Sequence, residues 1–370
     1  MKAGALVVAA GAVVVACGSA STPAPSACGA SDALWVASDY SSSATGALAL
    51  SGGVTSTVGR VDLGADPALS ISAGRAFFVA RDTDTLFELD PTCGTPTRQF
   101  SVHQASRSGT SDPQDVAVAG DGSLWVPLFE VPEVAILSAA GDPIGTIDLS
   151  PYDSDGNPDA TAIAIVDTPG GEKAFVALAR LNPYPTSVQP SWMLRIDVAT
   201  ATVEATVALA GRNPFGTMQD RDGVLWLAEP GNFDDATEPD AGVERFDTST
   251  STTALFAHEA DLGGSVAEVS VSAGCGVAIV ADATAVNATS LALFDPTSGS
   301  VVAPASASPL ATPGFDLEGL AWSGGAMLVG DRQRASSGYP LHVFDGACAP
   351  VERPDAVFLP LPPIAVGVAQ

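Results

Sequence analysis

Oxygen-bearing side chains recur through Asp153-Ser154-Asp155-Gly156-Asn157-Pro158-Asp159, with Asp153, Asp155, Asn157 and Asp159 at every second position. That spacing lets a tight loop wrap a hard cation, so Ca²⁺ or another divalent ion is the chemistry these residues suit. The segment is not an EF-hand, because its Gly stands fourth rather than sixth and no Glu follows at the twelfth place. A looser Ca²⁺ loop or a solvated acidic turn are the readings left open. Other reactive parts are scarce. No Ser sits in a Gly-x-Ser-x-Gly elbow, and His is limited to His103, His258 and His342. Ser51-Gly52-Gly53 and Gly170-Gly171 lack the Gly-Lys-Ser/Thr ending of a phosphate loop and read as turns. No catalytic residue is assigned from these patterns.

The elements that must position such residues come from a repeat. Gln114-Asp115-Val116-Ala117-Val118 is followed by the turn Gly120-Asp121-Gly122 and then by Leu124-Trp125-Val126. Phe215-Gly216-Thr217-Met218, Asp220-Arg221-Asp222-Gly223 and Leu225-Trp226-Leu227-Ala228 repeat the pattern. Units of roughly 40–50 residues made of a few strands predict an all-β, seven-bladed β-propeller. Inner strands are expected over 68–72, 115–119, 161–166, 215–219, 267–271, 317–322 and 364–368. Their partners are expected over 34–37, 77–80, 124–128, 174–178, 225–229, 277–281 and 326–329. The first partner has no inner strand before it and the last inner strand has no partner after it, so the N- and C-terminal strands should complete one blade and remove an exposed sheet edge.

Third strands ending in Asp before Pro, Thr or Gly predict turns capped by the carboxylate. The long acidic stretch 233–240 reads as an exposed excursion between strands. Trp35, Trp125 and Trp226 fall at one equivalent position and are expected to wedge between blades. With this ordering, Cys28 and Cys93 lie in adjacent units, as do Cys275 and Cys348, favouring Cys28–Cys93 and Cys275–Cys348 disulfides. Closure of the ring leaves Cys28–Cys348 as a further pairing.

Met1-Lys2 precedes a small and apolar run from Ala3 to Ala16, too short for a permanent span. Val14-Val15-Ala16-Cys17 resembles a bacterial lipobox. That resemblance implies a signal peptide over 1–16, lipid on Cys17, a flexible tether over 17–32 and the propeller over 33–370, exported to the outer membrane or cell surface. The formal net charge is −27, with Lys only at Lys2 and Lys173. Phosphate backbones and anionic membrane surfaces are therefore repelled, which argues against nucleic acid and restricts membrane contact to the lipid. A monomer is expected.

The phrases 112–118 with 120–126, and 213–216 with 222–227, resemble repeats of the NHL, YVTN and streptogramin-lyase-like propellers. The lyases of that group use a His near a metal, and none of the three His residues here stands in a matching phrase. Locally, Glu318-Gly319-Leu320-Ala321-Trp322 resembles the Glu-Gly-x-x-Trp phrase of gluconolactonase and regucalcin-like propellers. The resemblance implies Glu318 as a metal ligand at the channel mouth, with Asn213 where that family places an Asn ligand. Asp115 joins them as a possible axial ligand, while the family's Asp-Gly phrase has no counterpart. The expected function is a non-catalytic binding or scaffold module for an envelope protein or small ligand. The alternative is a divalent-metal-dependent, lactonase-like hydrolase at the axial mouth.

Overall fold

Every expected inner strand forms, its ends shifted by a residue or two, and the strands assemble into seven antiparallel sheets. The computed structural model describes residues 31–51, 55–103, 109–233, 235, 237–282, 288–354 and 357–369. Cys17, Cys28 and the lipobox lie outside the described residues. From the axis outward, blade 1 runs Pro363–Gly367, Ala33–Ser38, Ser43–Ala49 and Thr55–Val61. Blade 2 is Pro67–Ser72, Arg75–Ala80, Thr85–Leu89 and Pro96–Ser101; blade 3 is Ala117–Val118, Leu124–Leu128, Glu133–Leu137 and Pro143–Asp148. Blade 4 is Ala160–Thr168, Gly171–Leu178, Trp192–Asp197 and Thr202–Ala208; blade 5 is Phe215–Arg221, Val224–Glu229, Gly242–Asp247 and Thr252–His258. Blade 6 begins Ser265–Val271, Gly276–Asp282 and Ala288–Phe294, and blade 7 begins Leu317–Ser323, Ala326–Asp331 and Tyr339–Asp345. The outer position of each of these two sheets is shared by two short strands, Val301–Ala303 with Ala311–Thr312 and Val351–Glu352 with Val357–Leu359.

Local chemistry explains the turns. Arg221 pairs with Val224 across Asp222-Gly223, whose φ values of 55° and 78° make the two-residue turn with both centres left-handed that matches strand twist. Outer turns are held by aspartates: Asp90 accepts from the Thr92 amide at 2.8 Å, Asp197 from Thr200 at 2.8 Å and Asp295 from Thr297 at 2.7 Å. The first strand of blade 3 is short because the Val116 amide bonds to Asp115 Oδ1 and Ser70 Oγ, at 2.8 and 3.1 Å, instead of joining the ladder.

The buried apolar side chains divide among the blade interfaces rather than forming one central core. Trp35 packs between blades 7 and 1, Trp125 between blades 3 and 4, and Trp226 between blades 5 and 6, all nearly inaccessible to water. Each indole is thus an inter-blade wedge. Blade 1 closes the ring, with Leu34 opposite Gly367, Trp35 opposite Val366 and Val36 opposite Ala365.

Cys275 and Cys348 are disulfide-bonded across blades 6 and 7, with Cα atoms 5.2 Å apart and a sequence separation of 73. Cys93 is also disulfide-bonded. Restricting so long a loop in the unfolded chain stabilises by about 4 kcal/mol in the chain-entropy model. Replacing Cys275 and Cys348 by Ser is therefore expected to lower the urea midpoint and to steepen the denaturant dependence, because the unbridged unfolded chain exposes more surface. An unchanged midpoint in a urea titration would refute a stabilising role for the bridge.

Candidate functional site at the loop-bearing end

Up-and-down strand order sends alternate connections to opposite ends of the ring. At one end the first-to-second connections are tight, as at Ala73-Gly74, Gly170 and Asp222-Gly223. The other end receives the long connections, Leu178 to Trp192, Glu229 to Gly242 and Asp148 to Ala160. Loops on a rigid ring can vary without disturbing the core, which makes this end the candidate site.

A recurring backbone bond builds the mouth. Just past the second strand, an amide donates to the carbonyl that precedes the inner strand: Arg81 to Asp66 at 3.0 Å, Phe129 to Asp112 at 2.9 Å, Ala179 to Asp159 at 3.0 Å and Arg332 to Asp316 at 2.7 Å. Asp112 and Asp159 hold left-handed φ values of 52° and 53°, a conformation in which Asp is tolerated better than most residues. The bond puts Asp66, Asp112, Asp159 and Asp316 at one level of four blades, and Arg81 and Arg332 at that level beside them.

Four guanidinium groups organise this end, each committed to acceptors. Arg81 meets Asp66 Oδ1 at 2.5 Å and Gln114 Oε1 at 3.4 Å. Arg332 pairs with Glu318 and lies 5.1 Å from the Tyr40 ring centroid. Arg212 grips Asp240 through Nε at 2.7 Å and Nη2 at 3.0 Å, with Glu238 at 3.1 Å. Arg180 stacks 3.6 Å from the Trp192 ring centroid and donates to the carbonyls of Tyr152 and Pro190 at 3.0 and 2.8 Å. Aromatic rings stand out between these groups. Tyr40, Tyr184, Phe215 and Phe233 are exposed; Phe215 and Phe233 meet edge to face at 5.0 Å, and Tyr184 meets Phe129 at 6.2 Å.

Burial dominates the acid chemistry of the mouth. It pushes Asp112 up to about 6 despite the nearby Arg81, and Asp159 up to about 7 with further help from Asp155 and Asp153. Glu318 is pushed up to about 7 because burial outweighs the attraction of Arg332.

The possible axial ligands are each held by separate partners. Asp115 sits inside the ring, its Oδ1 accepting from Ser70 Oγ at 2.6 Å and its Oδ2 from the Ile163 amide at 3.1 Å. Asn213 donates through Nδ2 to the Gly231 carbonyl at 2.8 Å, and Glu318 is occupied by Arg332. In the acidic loop, Asp155 accepts from the Asn157 amide at 2.9 Å, Asn157 Nδ2 reaches Asp159 at 3.2 Å and Asp159 Oδ2 accepts from the Leu181 amide at 2.7 Å. Asp153 Oδ2 and Asn157 Oδ1 are buried without hydrogen-bond partners, but Arg180 Nε lies 3.8 Å from the former and disfavours a cation there. Among the described residues, no group of three or more His, Cys, Asp or Glu side chains is gathered to hold a metal ion.

The sequence reading overlooked the guanidinium quartet and the exposed aromatics. One signal was present: Arg81 and Arg332 directly follow second strands, and Arg180 stands two residues beyond another. His103 Nδ1 lies 2.8 Å from Asp84, and His342 Nδ1 lies 2.6 Å from Glu352, so both rings are engaged by carboxylates.

No known family model matches the chain, and no curated protein matches it. Solved structures resemble it in fold. A Bacteroides uniformis protein named as a candidate 6-phosphogluconolactonase is 12% identical with a TM-score of 0.55, covering 90% of this chain and 98% of that one. A catalytically inactive virginiamycin B lyase from Staphylococcus aureus, solved with quinupristin, is 12% identical with a TM-score of 0.53, covering 81% and 92%. U3-55K is 13% identical with a TM-score of 0.51, covering 76% and 78%. At these identities the likeness concerns the fold: the chain is an all-β, seven-bladed propeller whose structural neighbours include a streptogramin-type lyase and a lactonase-like protein.

Proposed function

We propose that this propeller is a non-catalytic binding module, tethered to the cell envelope by lipid on Cys17, whose loop-bearing end receives a protein or small ligand. The observation that supports this reading is the concentration of exposed aromatics and paired guanidinium groups at that one end. Exposed Tyr and Phe offer stacking area at small entropic cost, and the Arg groups, pinned by their acceptors, hold the loops that carry these rings. Hydrolysis has less support, because Arg332 occupies Glu318 while Asp115 and Asn213 are turned to other partners.

The test uses the purified chain as bait in solubilised envelope. A partner retained by the native protein and by the outer-surface variant Ile144→Ala should be lost when Tyr184 and Phe215 are both replaced by Ala. Equal retention by that double variant would refute the assignment of this end. Turnover of a lactone panel with added Ca²⁺, Mn²⁺ or Zn²⁺, abolished by Glu318→Gln, would establish the hydrolase instead.

A further inference from the structure

In blade 5, Glu229 ends the second strand and lies opposite Gly242, while Glu244 is two residues further along the third strand. The two-residue spacing puts both glutamates on the same face of the sheet, as diagonal neighbours. Both are completely buried. The segment Leu209-Ala210-Gly211-Arg212-Asn213 crosses directly over them. A Cβ at Gly211 would lie 2.8 Å from Glu229 Cβ and Cγ and 3.0 Å from Glu244 Oε2, so only Gly permits this approach. Glu244 is satisfied by the segment, accepting from the Gly211 amide at 2.6 Å and the Ala210 amide at 3.1 Å. Neither carboxyl oxygen of Glu229 has a hydrogen-bond partner.

Among the described residues, the surroundings supply no compensating cation. On the crossing segment the charged side chain is Arg212, committed to Asp240 and Glu238. On the third strand, Arg245 is opposite Trp226 and its guanidinium lies over Phe256. On the fourth strand His258 is exposed, and on the first strand Asp220 and Arg221 lie at the far, turn end. Blade 4 presents Leu209, Met193 and Phe175 to this interface, and its Arg180 is stacked on Trp192. Glu259, beyond the fourth strand, accepts from the Val266 amide at 2.6 Å. Burial holds Glu229 well above the ordinary Glu range, and the like charge of Glu244 adds to it. Close packing of Gly211 against both side chains also favours a proton over a hydrated cation.

We propose that Glu229 and Glu244 form a proton-loaded latch that keeps the 209–213 segment docked, and that alkaline pH releases this segment and with it Arg212 and Asn213 at the mouth. The sign follows from linkage. A carboxyl whose folded-state pKa is raised favours folding fully below the unfolded value near 4.5, and this contribution is lost as pH rises through the folded value. Burial raises Glu244 to about 7 and lifts Glu229 well above the ordinary Glu range, so the coupled pair loses protons from about neutrality upward.

Hydrogen exchange at the Ala210 and Gly211 amides, corrected for the intrinsic base dependence, reads the latch. Between pH 6 and 9 the native protein should lose protection by at least about tenfold, one pKa unit of coupling, while Glu229→Gln should keep it. Glu244→Gln removes the like charge and should move the loss to higher pH. A difference infrared spectrum at pH 7, native minus Glu229→Gln, should contain the carbonyl band of a protonated buried carboxyl. Loss of protection with the native midpoint in Glu229→Gln, pH-independent protection in the native protein, or absence of that infrared band would each overturn the latch.

Discussion

Removal of residues 363–370 is expected to abolish the single cooperative melting transition, with most of the chain recovered insoluble or melting at least about 10 °C lower. The last strand is the innermost strand of blade 1 and pairs with Ala33–Ser38 along its length. It also packs sideways. A Cβ at Gly330 would meet Pro363 at 2.5 Å, one at Gly319 would meet Ala365 at 3.1 Å, and one at Gly367 would meet Ile71 at 2.8 Å, so blades 7 and 2 both lean on this strand. Losing the buried Ile364 and Val366 forfeits about 1.5–3 kcal/mol each in transfer free energy. The greater effect is topological, because Trp35 and its strand become an exposed edge at the axis, open to pairing with other chains. Circular dichroism melts and soluble yield test this. A truncated chain melting at the native temperature would show that ring closure contributes little.

Asp115→Ala is expected to destabilise the fold by about 1–3 kcal/mol, the cost of leaving buried hydrogen-bond donors without their acceptor. Asp115 joins three blades: its carboxylate takes Ser70 Oγ from blade 2, the Val116 amide beside blade 3 and the Ile163 amide of blade 4. Without it, these buried donors lose their acceptor in a site that excludes water. Asp115→Asn should fall between, because its carboxamide oxygen can keep some of these donors while its NH₂ group faces the others. Urea titration should show a lower midpoint for Ala than for Asn. An Ala variant within about 0.5 kcal/mol of native stability, the span of ordinary surface substitutions, would leave Asp115 without a latching role.

The same device recurs at other interfaces. Glu268 accepts from the amides of Gly319 and Leu320 at 2.9 and 2.8 Å, and Gln219 accepts from the Val271 amide at 2.6 Å and returns a bond to the Val271 carbonyl at 3.0 Å. Inner-strand polar residues therefore do for blade-to-blade register what ladder bonds do within a blade. Asp115, expected from the chain at the axial site, joins neighbouring sheets through the bonds its carboxyl group accepts.

The architecture was legible in the chain because it depends on local signals. Asp222-Gly223 can form a tight hairpin wherever it occurs, and Leu225-Trp226-Leu227-Ala228 suits a strand buried on both faces. The unmatched phrases at 34–37 and 364–368 even disclosed how the ring closes. Blade adjacency likewise favoured the Cys275–Cys348 pairing, which forms. The mouth was not legible, because its contacts join residues far apart in sequence. That Arg332 would take Glu318, that Arg212 would turn to Asp240, and that Gly211 would settle on two buried glutamates depend on how far each blade rotates against the next. Strand periodicity and turn chemistry act over a few residues and so are written along the chain; the direction in which a charged side chain finds its partner is set by packing between blades, and only the tertiary structure decides it.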